Sequence, residues 1–74
     1  MQYNDNFDIK EKDFEEIINI CNQYPNDEEM LIIKAKSLKR LEKPHQSLKC
    51  LKKLLKINPY NLDALIEISH FLKY

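Results

Sequence analysis

Two prolines, Pro25 and Pro59, stand 34 residues apart, and the chain downstream of each repeats the same apolar placement. A shift of 34 lays Leu31 on Leu65, Ile32 on Ile66, Leu38 on Leu72 and Lys39 on Lys73, with small Ala35 on small Ser69. Upstream of the prolines, Phe14, Ile17, Ile20 and Cys21 fall on Leu48, Leu51, Leu54 and Leu55. A period in the range of about 20 to 50 residues, whose single unit cannot bury its own apolar face, is the signature of a stacked solenoid. The spacing therefore limits the chain to a small set of repeat architectures.

Composition narrows that set to helix. Glycine is absent and proline occurs three times, so propensity favours helices and leaves few tight hairpin turns; no sheet is expected. With 74 residues there is room for one small domain, which buries only about 60% of its unfolded surface and has a marginal core. The longest apolar runs, such as Met30 to Ile33, fall far short of the ~20 residues of a membrane span. Cys21 and Cys50 stand singly on apolar helix faces, with no second cysteine nearby and no signal peptide ahead of them. That usage fits buried thiols in a reducing, intracellular compartment such as cytoplasm or nucleus.

The first helix is expected to begin after Asp8, with Glu11 reaching back as in a capping box, and to run to about Asn22. Residues 1–7 are expected to be loosely ordered. Phe14, Ile17, Ile18 and Cys21 form its apolar stripe. Tyr24-Pro25-Asn26 ends it, because the residue before a proline is pushed out of the helical region. Asp27 is placed to cap a second helix, about Glu28 to Leu41, with Glu28 and Glu29 at the positive end of its dipole. Pro44 suits the first position of a third helix, where a missing N–H loses nothing. Leu48, Leu51, Leu54, Leu55 and Ile57 would form its inner face and Lys49, Lys52, Lys53 and Lys56 a basic outer stripe. Asn61 caps a fourth helix running from Leu62 to the end. Short turns between four such helices favour antiparallel neighbours packed in sequence, as a single domain over residues 1–74.

With these residues placed, the chain resembles the tetratricopeptide repeat, a 34-residue pair of antiparallel helices. The resemblance covers one full repeat, Glu28 to Asn61, flanked by two half repeats. Leu31 stands where the family favours Trp, Ala35 at its Gly, Leu38 at its Tyr, Ser47 at its small Ala, Leu51 at its aromatic place and Pro59 at the closing proline. Lys34, Asp13, Ile20 and Leu54 depart from the pattern: Lys34 replaces a large apolar residue, and the other three are larger or more polar than the expected Ala.

The resemblance implies a trough lined by the first helix of each pair, holding an extended or helical segment of another protein. Its lining would be Glu29, Ile32, Lys36, Lys39 and Arg40 from the second helix, and Asp63, Ile66, His70 and Lys73 from the fourth. Lys36, Lys39 and Arg40 would give it a cationic end suited to an acidic segment or a C-terminal carboxylate. One family subclass grips the tails of the large chaperones through Lys and Asn at set places. Those places hold Ile32, Lys36 and Glu67 here, so that clamp is not supported.

A docking surface also follows from the apolar pattern itself. The fourth helix carries Leu62, Leu65, Ile66, Ile68, Phe71, Leu72 and Tyr74 and is apolar nearly all round, whereas the end of a free solenoid needs a polar outer face. A partner protein or a second copy of the chain is expected to cover it. The charge is divided too: residues 1–30 hold nine acids and two lysines, net −7, and the remainder is net +7. An alternative function is RNA or anionic-surface binding within a ribonucleoprotein through Lys49, Lys52, Lys53 and Lys56, although no aromatic residues interleave with them for base stacking.

Catalytic constellations are missing. There is no Gly-rich phosphate loop, paired Cys motif or His-Glu-x-x-His, and His45 and His70 are isolated, whereas zinc wants three or four converging ligands. Glu15 and Glu16, like Glu28 and Glu29, are adjacent on a helix and point apart. The expected role is non-enzymatic, without metal or cofactor: an adaptor or assembly subunit that binds protein.

Overall fold

The computed structural model describes residues 11–71. Within them the chain is all-α: α1 (Glu11–Cys21), α2 (Glu28–Arg40), α3 (Pro44–Ile57) and α4 (Leu62–Phe71), with no strand. Each helix packs on its sequence neighbours, α2 against α3 most extensively. The expected cap at Asp8, the order of residues 1–7, and Leu72, Lys73 and Tyr74 lie outside the described residues.

The 34-residue period is reproduced in atomic detail at the two X-Pro turns. In Tyr24-Pro25-Asn26-Asp27 the Asp27 amide donates to the Tyr24 carbonyl at 3.2 Å, and in Asn58-Pro59-Tyr60-Asn61 the Asn61 amide donates to the Asn58 carbonyl at 3.2 Å. The fourth residue of each turn then caps the next helix. Asp27 Oδ1 accepts from the Met30 amide at 3.0 Å, and Asn61 Oδ1 from the Ala64 amide at 2.9 Å. Proline stops the preceding helix and the Asx side chain satisfies an amide that the new helix leaves unpaired.

The α2–α3 connection is of another kind. The Lys43 amide bonds the Leu38 carbonyl at 2.9 Å and the Glu42 amide the Lys39 carbonyl at 3.0 Å, with Glu42 at φ 60°. This is a Schellman ending whose left-handed position is ordinarily glycine; in a chain without glycine, Glu42 takes it against its Cβ sterics. Pro44 follows as the first residue of α3, as its fixed φ favours.

The core lies between α2, α3 and α4. Leu31, Ile32, Ala35, Cys50, Leu51, Leu54 and Ala64 are buried together, with Leu55, Ile68 and Phe71 packed against them. Two cross-helix bonds give the direction of packing: Ser47 Oγ donates to the Ala35 carbonyl at 2.7 Å, and Cys50 Sγ to the Leu31 carbonyl at 3.2 Å. Partners descend along α2 as they ascend along α3, so the two helices are antiparallel. Small side chains at Ala35 and Ser47 let the helices approach until a hydroxyl reaches a main-chain carbonyl already engaged in helix. Leu54 is accommodated with no exposure at all. Ile57 is a correction: expected on the inner face, it is exposed, at the last residue of α3 and outside the core cluster.

Replacing Glu42 by Gly is expected to raise the thermal midpoint, with a gain of up to about 1 kcal/mol, since relief of the left-handed strain outweighs the extra unfolded-state freedom. Differential scanning calorimetry reads it, and an unchanged or lower midpoint would refute the strain.

Candidate interaction surface

α2 and α4 lie side by side, and their cross-links show that they run parallel. At their N-terminal ends, Asn58 Nδ2 and Asn61 Nδ2 both donate to Glu28 Oε1 at 2.9 Å. At their C-terminal ends, Lys39 Nζ sits 3.4 Å from His70 Nδ1 and 3.8 Å from Glu67 Oε1. The partners are 33 residues apart from Glu28 to Asn61 and 31 from Lys39 to His70.

Two shallow clefts run along this shelf. One, of about 250 Å³, is lined by Glu28, Glu29, Ile32, Ile33, Asn61 and Asp63. The other, of about 520 Å³, is lined by Lys36, Lys39, Arg40, Glu42 and Glu67. The shelf is therefore acidic where its helices begin and mainly basic where they end. The expected lining residues Glu29, Lys36, Lys39, Arg40, Asp63, Ile66 and His70 are all exposed, and Lys73 lies outside the described residues. Ile32 belongs to the core cluster and reaches only the floor of the acidic cleft. The cationic end is partly neutralised by Glu67, whose carboxylate lies 3.8 Å from Lys39 Nζ.

Glu28 was read from the sequence only as a dipole-favoured residue of the first turn. Its carboxylate, clasped first by Asn61 and then by Asn58, is held below the ordinary glutamate range. Each asparagine uses its oxygen within its own loop, Asn58 Oδ1 accepting from the Tyr60 amide at 3.0 Å, and its nitrogen on Glu28. Aspartate at either place lacks the donor. The signal available in the sequence was asparagine, rather than aspartate, on both sides of Pro59.

The α4 surface divides into two sides. Ala64 is buried, and Ile68 and Phe71, expected at the exposed apolar end, are instead half-buried against the core cluster. Leu62, Leu65 and Ile66 remain exposed, as expected. A 10-residue helix packed on one side buries that stripe and leaves the other in solvent; Leu72 and Tyr74 lie outside the described residues.

On α3, Lys49, Lys52, Lys53 and Lys56 are all exposed. Lys49 and Lys53 also border a groove of about 660 Å³ with Lys34 of α2, over a floor that includes Cys21, Leu31, Leu38 and Cys50. The sequence reading missed this groove, because it forms only where α1 and α3 flank α2. Both thiols are buried as expected, and that burial raises both above the ordinary thiol value against the opposing pull of Lys34. Among the described residues no group of three or more His, Cys, Asp or Glu is arranged to hold a metal ion, and no helix is long and apolar enough to cross a membrane.

Compared with models of known families, with curated proteins and with solved structures, the chain has no match in any of the three.

The Glu28 clasp predicts a pH dependence. A carboxylate whose folded value is depressed contributes stability that is present above its unfolded value, near 4.5, and is lost as pH falls through the folded value. Glu28→Gln is expected to melt below the parent chain at neutral pH, with the gap closing as pH falls below about 4.5. Circular dichroism melts across that range check it, and a pH-independent gap would mean the charge plays no part.

Proposed function

We propose that the chain is a non-enzymatic protein-binding module, an adaptor or small assembly subunit of tetratricopeptide-like build. It docks through the shelf between α2 and α4 and through the outward face of α4. The observation that carries this reading is the exposure of Leu62, Leu65 and Ile66 on one helix face at the end of the stack. Contiguous apolar surface of this kind on a small domain marks a place where another chain sits. The shelf supplies direction, because its acidic and basic ends favour a partner segment of opposite polarity, with acidic residues or a terminal carboxylate beside Lys36 and Arg40.

RNA binding through α3 is the second reading. It is favoured by the exposure of Lys49, Lys52, Lys53 and Lys56, and weakened by the lack of any aromatic residue on α3.

Affinity capture with the tagged chain from its native cells separates the two. Protein binding predicts a defined partner that survives nuclease treatment, is lost at least about tenfold with Leu65→Glu/Ile66→Glu, and weakens with Lys36→Glu/Arg40→Glu. RNA binding predicts partners released by nuclease and by moderate salt, and lost when the four α3 lysines become glutamate. Partners insensitive to both sets of substitutions would defeat both readings.

A further inference from the structure

The groove between α1 and α3 collects charge that the repeat does not require. Lys34 borders it from α2, and Lys49 and Lys53 from α3, over a floor that includes Cys21, Leu31 and Cys50. No residue of its lining is acidic. None of the three lysines has an ion pair among the described residues. The 34-residue shift lays Lys34 on Ile68, and Lys49 and Lys53 fall on Glu15 and Asn19, so the cations belong to this groove and not to the pattern that builds the stack.

Lys34 is half-buried where the other two are exposed, and its ammonium acts on both the Cys21 and the Cys50 thiols, which puts the charge beside the floor. Like charges lining one groove repel, and an anion among them relieves that cost. The floor itself is apolar, since burial holds both thiols in the neutral form. The groove therefore combines unpaired cations with an apolar bed, the two halves of a site for an anionic amphiphile.

We propose that this groove binds a free long-chain carboxylate, a fatty acid, with its head group among Lys34, Lys49 and Lys53 and its hydrocarbon chain along the floor. The volume of about 660 Å³ lies within the roughly 300–1,000 Å³ of small-ligand sites. An extended peptide suits it less. The walls are helices whose main-chain groups pair within them, and Asn22 and Gln46 are the only uncharged polar side chains on the lining, so a peptide would bury amides without partners. A hydrocarbon chain brings no such groups. No groove residue lines either cleft of the shelf between α2 and α4, so this site is additional to the protein-binding reading and independent of it.

The test is a calorimetric titration of the full chain with laurate, kept below the concentration at which it self-associates. A saturable site is expected. Dodecanol, which has the chain without the charge, and acetate, which has the charge without the chain, are expected to bind at least about tenfold more weakly. Lys34→Gln/Lys49→Gln/Lys53→Gln is expected to weaken laurate by at least about tenfold, whereas Lys52→Gln/Lys56→Gln, on the same helix but off the groove, leaves its affinity unchanged. Bound laurate is also expected to slow the reaction of Cys21 and Cys50 with a maleimide. The absence of saturable binding overturns the inference, as does dodecanol binding as well as laurate, or laurate binding that survives loss of the three lysines. Retention of the chain through Lys34 by an acidic peptide, RNA or phosphatidylserine vesicles, with no binding of free laurate, overturns it too, because the occupant is then of another class.

Discussion

The close approach of α2 and α3 is the contact on which the rest of the molecule depends. It is made possible by Ala35 and Ser47, which are nearly without exposure and small enough for Ser47 Oγ to reach the Ala35 carbonyl. With the two helices at that distance, Leu51 and Leu54 lose all contact with water, and Cys50 finds the Leu31 carbonyl. A larger residue at either small position would separate the helices and open the core along its length. In a domain this small, with a core of few residues, no second layer exists to absorb such a change.

Besides the apolar packing of Ala64, Ile68 and Phe71 on the core, polar ties join α4 to α2. α2 and α4 are tied at one end by Glu28 with Asn58 and Asn61, and at the other by Lys39 with Glu67 and His70. Both ties hold the shelf at a defined width and leave its middle open, between the acidic and basic clefts. The exposed pair at the basic end is weak on its own, since solvent screens it. The Glu28 clasp is bonded from two loop residues and ties α2 to the segment that leads into α4.

Much of this was legible in the sequence because it is local. Asp27 and Asn61 as caps, Pro44 at a first helical position and the proline stops depend on a few neighbouring residues, and each occurs as read. The buried thiols and the α1 stripe follow from helical spacing in the same way. Less legible were the groove between α1 and α3, the clasp on Glu28, and the sides that Ile32, Ile57, Ile68 and Phe71 take. Those depend on how far each helix rotates about its axis and where it stops relative to its neighbour, which no i, i+3, i+4 pattern encodes.

By itself the sequence determined that the chain is helical, that its helices come in a 34-residue register, and which residues start and stop them, because propensity, proline geometry and capping act within a turn of the chain. Only the tertiary structure decided which half of each apolar stripe is covered. Ile32 and Ile66 occupy the same place in the repeat, yet one is core and the other surface, because Ile32 packs into the cluster shared by α2, α3 and α4 and nothing among the described residues lies against the outward face of α4.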